Sequence, residues 1–179
     1  MNQNEKMTGD ERREFLLATL QSSKNPLTGK ELGELTNVSR QVIVGDMTLL
    51  KAKNAPIMAT SQGYIYMQET REGNRIEQVI VCRHTPEQTE EELNIFVDHG
   101  VTVKDVKVEH PVYGDLSASI MVSNRRDVKE FLKRIEEANA AYLSNLSDDG
   151  IHLHTVIADH SEQISDAMTE LKKAGILMD

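Results

Sequence analysis

The sequence predicts an α+β protein in two domains, an N-terminal winged helix-turn-helix over residues 1–70 and a βαββαβα open-faced sandwich over residues 76–179. Three observations predict it. Three successive segments carry apolar residues at helical spacing, two short β-prone runs follow them directly, and strand-like and helix-like runs alternate through the second half. A chain of 179 residues accommodates two modest domains.

The first helix is predicted over Asp10–Leu20, with Leu16, Leu17 and Leu20 on one face. Asn25-Pro26 ends that pattern. Thr28 then precedes Glu31 by three residues, the spacing at which each side chain satisfies an orphan amide at a helix start. The second helix is short and is expected to bury Leu32 and Leu35. Ser39 is a candidate N-cap for a third helix, in which Ile43, Met47 and Leu50 fall at i, i+4 and i+7. The runs Ile57–Ala59 and Gly63–Met67 read as a hairpin, with Gly63 available for the turn. The polar stretch Gln68–Arg75, with Gly73 and Asn74, holds no apolar residue and marks the domain boundary.

Beyond the boundary, Ile76–Cys82 reads as a strand and Pro86–Asp98 as a helix with Leu93, Phe96 and Val97 inward, closed by Gly100. Val101–Val108 and Leu116–Val122 read as strands joined through His110-Pro111-Val112-Tyr113-Gly114. Asp127–Asn139 is a helix, Ile151–Ile157 a strand and Glu162–Lys173 a last helix.

The net charge of −9 is unevenly placed. Residues 1–70 hold eight Lys/Arg and eight Asp/Glu, whereas residues 71–179 hold twelve and twenty-one. A neutral first half can still present a local basic face to DNA, but its nonspecific affinity is expected to be weak, so specific binding calls for a homodimer on a two-half-site operator. The acidic second half suits a metal or small ligand better than phosphate. No run approaches the roughly 20 apolar residues of a bilayer-spanning helix, so no membrane role is expected. Met1–Asp10 lacks the apolar centre of a secretory signal and Cys82 is the one cysteine, which together point to the cytoplasm.

On the third helix, the face opposite the apolar stripe comprises Gln41, Val44, Gly45 and Thr48, with Ser39 and Arg40 at its start. A plain helical bundle would leave this face to solvent. A DNA reader would use Arg40 and Gln41, whose side chains match guanine and adenine edges in the major groove. In the second half, His152 and His154 point to the same side of a strand, an arrangement that suits a divalent metal and that strands also carry by chance. His84 at a strand end and Glu92, two turns into the following helix, complete a candidate set of three nitrogens and one oxygen. Such a site takes zinc, nickel or iron according to availability. Cys82 shares the strand face of His84 and reads as a core thiol. His110, in its proline-containing connection, reads from spacing alone as a turn residue. His99 and His160 are explained by helix ends.

The motifs Arg83-His84-Thr85-Pro86-Glu87, Val108–Gly114 and Ile151–Thr155, joined to a winged helix containing Val38–Ile43 and Gly63–Ile65, resemble the three-histidine bacterial niacin-responsive repressors of NAD biosynthesis and niacin uptake. The resemblance covers nearly the whole chain. It implies a C-terminal fold similar to the histidine-containing phosphocarrier, metal ligands His84, Glu92, His152 and His154, nicotinic acid as co-repressor, and a pocket lined by His110 and Tyr113. Gly45 departs from the longer polar residue that related winged helices carry there. Two other classes stay open: a regulator for which the metal itself is the signal, and a metal-dependent enzyme fused to a DNA reader. The sequence shows no nucleophile–base constellation and no phosphate-cradling glycine loop to favour the enzyme.

Overall fold

The computed structural model describes residues 7–67 and 75–178, so most of the boundary stretch Gln68–Arg75 lies outside the described residues. The chain divides into two compact units, residues 1–70 and 71–179. Among the described residues, no helix is long and apolar enough to cross a membrane.

The first unit contains helices α1 (Gly9–Ser22), α2 (Gly29–Thr36) and α3 (Arg40–Ala52), then strands β1 (Ile57–Thr60) and β2 (Gly63–Tyr66) paired antiparallel. The expected capping box starts α2: Thr28 Oγ1 accepts from the Glu31 amide at 3.2 Å, and Glu31 accepts from the Thr28 amide at 2.7 Å. Ser39 caps α3 by accepting from the Val42 amide. Between the two helices Asn37 is left-handed, with φ of 53°. Gly33 lets the turn fold back, since a Cβ there would stand 2.7 Å from the Val38 carbonyl oxygen. Leu16, Leu20, Leu32, Ile43, Met47, Leu50 and Ile57 form the core of this unit. Leu35 does not join it and is 55% exposed. The stripe that α2 buries is Gly29, Leu32, Gly33 and Thr36, at i, i+3, i+4 and i+7, which turns Leu35 outward. The hairpin is anchored to the segment before α2, where Leu27 and Tyr64 exchange backbone hydrogen bonds of 3.0 and 2.8 Å.

The second unit runs β3 (Ile76–Arg83), α4 (Thr89–Asp98), β4 (Thr102–His110), β5 (Gly114–Val122), α5 (Arg125–Glu137), β6 (Ile151–Ala158) and α6 (Ser161–Lys173), the βαββαβα order expected. Its strands lie in the order β3-β6-β4-β5, all antiparallel. Ile80, Cys82, Val103, Ile120, Val122, Val156 and Ala158 pack against Leu93, Phe96, Val128, Ile164 and Leu171 of the helices. Side chains alternate along a strand, so this core lies on one face of the sheet. The predicted helix Pro86–Asp98 is two pieces, a 3-10 turn over Pro86–Gln88 and then α4. Glu92 consequently sits in the first turn of α4 rather than two turns in.

Candidate functional site

Three histidines and one glutamate meet on the helix-covered face of the sheet. Antiparallel register sets Cys82 opposite His152 and Ile80 opposite His154, which brings His84, one residue past β3, alongside β6. The ring centroids of His84 and His152 are 4.7 Å apart, and those of His152 and His154 are 4.9 Å apart. Glu92 reaches them from α4. Its Oε2 lies 2.8 Å from His84 Nε2 and 3.2 Å from His154 Nε2, and its Oε1 lies 3.1 Å from His152 Nε2. All four residues are buried.

The outer nitrogen of each ring is held by a backbone carbonyl. His84 Nδ1 lies 2.7 Å from the Thr85 oxygen, His152 Nδ1 2.8 Å from that of Gly150 and His154 Nδ1 2.8 Å from that of Asp105. A carbonyl only accepts, so each Nδ1 carries a hydrogen, and whenever a ring is neutral its Nε2 lone pair faces Glu92. Left unprotonated, the Nε2 atoms of His84 and His154 have no hydrogen-bond donor to meet despite their burial. Lone pairs facing a carboxylate repel unless a proton or a cation lies between them. The donor set, its anchored Nδ1 atoms and its two orphaned nitrogens therefore fit a divalent cation. Where protons rather than a cation lie between the rings and the carboxylate, burial opposes ionisation of Glu92, but the positive charge of His154 and the protonated Nε2 atoms of all three histidines prevail and hold its carboxyl well below the usual range.

Gly150 and Cys82 also border this site; the sequence marked Cys82 as a core thiol on the strand face of His84 and did not mark Gly150. Gly150 has φ of 69°, and a Cβ on it would collide with the His84 carbonyl oxygen, so glycine permits the close approach of the two strand ends. Cys82 is fully buried, with a sulfur within 4.8 Å of ligand atoms of both Glu92 and His152. Burial, and then the charge of Glu92, push its thiol far up. The shared strand face of Cys82 and His84 was the available signal.

A cavity of about 260 Å³ opens directly on these residues. His84, Glu92, His152 and His154 contribute to its lining, and Ile120, Phe131, Ile135, Tyr142 and Leu143 are among its apolar walls. His110 and Tyr113 are not in it. They stand on the β4–β5 hairpin, where His110 pairs with Gly114 and Tyr113 is 74% exposed. His110 Nδ1 accepts from the amides of Val112 and Tyr113 at 3.1 and 3.2 Å, so it caps its own turn. The hairpin pair implied by resemblance therefore lies apart from this cavity, which within one chain is walled by α5 and the segment after it.

On the first unit, Arg40, Gln41, Gly45 and Thr48 are exposed along α3 and Val44 is half-buried among them. Thr48 Oγ1 donates to the Val44 carbonyl, while Ser39 serves as the cap. These residues form one continuous outward face, the placement expected of a DNA-reading helix.

Comparison with known proteins agrees with both halves. An HTH domain model matches residues 12–65 and a 3H domain model matches residues 77–179. The chain is 55% identical over 179 residues to the transcription repressor NadR of Bacillus subtilis, covering 99% of both chains. It is 38% identical over 174 residues to the probable transcription repressor NiaR of Thermotoga maritima, covering 97% of both. The 3H match spans more than half of the chain and both relatives align along their full length, so the chain belongs to the NadR/NiaR family of transcription repressors, which join an HTH domain to a 3H domain and are DNA-binding proteins rather than enzymes.

Proposed function

We propose that this chain is a cytoplasmic repressor that binds operator DNA as a homodimer, uses nicotinic acid as co-repressor and controls genes of NAD biosynthesis or niacin uptake. The observation that carries the reading is the apolar cavity whose floor is the three-histidine, one-carboxylate cluster. His84, Glu92, His152 and His154 would hold a zinc, nickel or iron ion, which would supply a Lewis-acidic position for the carboxylate or ring nitrogen of the effector. Phe131, Ile135 and Leu143 offer apolar surface to a flat ring, and a volume of about 260 Å³ suits a small aromatic acid better than a dinucleotide. The surrounding domain carries an excess of nine negative charges, so an anion needs a local positive centre of this kind to be retained there.

The test is a titration of labelled promoter DNA with metal-loaded protein, with and without nicotinate. A coupling of about 1–3 kcal/mol would tighten operator binding roughly 5- to 150-fold. No change with nicotinate, in a protein that binds the operator once metal is added, would leave the metal itself as the signal.

A further inference from the structure

Strand β4 slips register against both neighbours around Asp105. On the β6 side, Val103 pairs with Val156 and Lys107 with Leu153, so three β4 residues stand against two of β6. On the β5 side, Val103 pairs with Val122 and Asp105 with Ser119, so Ile120 and Met121 stand against Lys104 alone. Met121 takes φ of 51° at this irregularity. A bulge releases backbone groups from the ladder and re-aims them.

The released groups converge on the metal cluster. The Asp105 carbonyl, which has no place in the β4–β6 register, accepts from His154 Nδ1 at 2.8 Å. The Asp105 carboxylate accepts from the Thr155 amide at 2.9 Å, and Lys107 Nζ lies 3.3 Å from its other oxygen. Lys107 also donates to Thr155 Oγ1 at 2.8 Å. Asp105 and Thr155 are 7% and 5% exposed, so an amide left without an acceptor there would carry its full desolvation cost.

We propose that Asp105 is a positioning residue for the metal centre: its side chain pins β4 to the Thr155 amide and so holds its own carbonyl on His154 Nδ1. His154 is thereby fixed in one tautomer and orientation, with Nε2 towards Glu92. Removing the carboxylate leaves the bulge without its clamp, and the carbonyl can leave His154, whose ring is then free to exchange tautomers. Lys107 pairs with Leu153, on the face opposite His152 and His154, so the clamp ties the cluster to the face that the helices leave uncovered. This inference rests on the metal reading of the histidine cluster.

Zinc affinity of the full chain, measured by competition with a chelator, is compared for the parent, Asp105→Ala and Asp105→Asn, with the ring tautomer of His154 read by long-range proton–nitrogen NMR. Asp105→Asn keeps an acceptor for the Thr155 amide and should retain most of the affinity and the Nδ1-protonated ring. Asp105→Ala should lose about 10- to 100-fold in zinc affinity and show mixed tautomers. Equal zinc affinity in a folded Asp105→Ala protein overturns the proposal, as does a metal-free parent whose neutral His154 ring, read at high pH, carries its proton on Nε2. Should Asp105→Ala fail to fold, the tautomers of the parent and of Asp105→Asn decide alone. A parent that binds no zinc defeats the metal reading instead, and the spectrum still reports whether Asp105 fixes the ring.

Discussion

Arg12 Nε donates to Asp46 Oδ2 at 2.6 Å, tying α1 to α3 across 34 positions of sequence. Arg12 Nη2 and Arg13 Nη1 reach the other carboxylate oxygen at 3.3 and 3.1 Å. Asp46 is 3% exposed and directly follows Gly45, so this contact fixes how α3 is rolled about its axis and which residues it turns outward. Asp46→Ala should lower the stability of the first unit by about 1–3 kcal/mol, because it leaves two half-buried guanidinium groups without their buried acceptor, and should weaken operator binding with it. Chemical denaturation of the full chain, followed by circular dichroism, tests the first effect; an unchanged unfolding midpoint would make the contact dispensable.

The outward face of α3 separates reading from folding. Arg40→Ala and Gln41→Ala should each cost operator affinity, by about 1–3 kcal/mol where the side chain makes a bidentate base contact, with the melting midpoint unmoved. Gly45 behaves differently: a Cβ there meets nothing within 4 Å, so Gly45→Ala should stabilise the helix by up to about 1 kcal/mol. Operator titrations and melting curves on the three variants distinguish these outcomes, and two variants that bind like the parent would move the reader away from α3.

Metal content depends on both strand histidines. About one divalent ion per chain is expected to copurify, and His152→Ala combined with His154→Ala should abolish it. Elemental analysis showing full occupancy in the double variant would place the ion elsewhere. Gly150→Ala should also lower occupancy, since its Cβ would displace the His84 carbonyl.

The metal-free and metal-loaded proteins should respond to pH with opposite signs. Burial disfavours the His84 and His154 cations, yet Glu92 outweighs it and raises both above the ordinary 6.5. Their stabilisation is complete below 6.5 and disappears as pH rises through the raised values. Glu92, held well below 4.5, contributes above 4.5 and loses its contribution as pH falls through its depressed value. Metal-free protein should therefore melt highest on the acid side of neutrality. With metal added, rising pH removes competing protons from Nε2 and the midpoint should climb. Melting curves with chelator and with added zinc provide the comparison; parallel trends would contradict it.

The cavity at the histidines can be tested against the hairpin as the effector pocket. Ala118 lines the cavity on β5, so Ala118→Leu should fill it and reduce nicotinate binding while the metal remains. His110→Ala and Tyr113→Ala should bind nicotinate like the parent. Calorimetry of nicotinate into each metal-loaded variant decides; the reverse ranking would return the pocket to the hairpin.

Local periodicity fixed much of this protein in advance. The stripe Ile43, Met47, Leu50, the caps at Thr28 and Ser39, and the same-side placement of His152 and His154 all follow from spacings of one to seven residues, where helix and strand geometry leaves little choice. Leu35 was misplaced because a three-residue step permits two neighbouring stripes on a short helix, and contact with the rest of the unit selects one. The pairing of Asp46 with Arg12, the bulge that aims Asp105 at His154, and the walls that Phe131, Tyr142 and Leu143 raise over the histidines were decided only by tertiary structure. These contacts join residues 34 or 49 positions apart, or bring α5 and the segment after it to the same cavity as the β6 histidines. No local spacing encodes such a contact: it depends on strand register and helix packing, which the burial of the whole core sets at once.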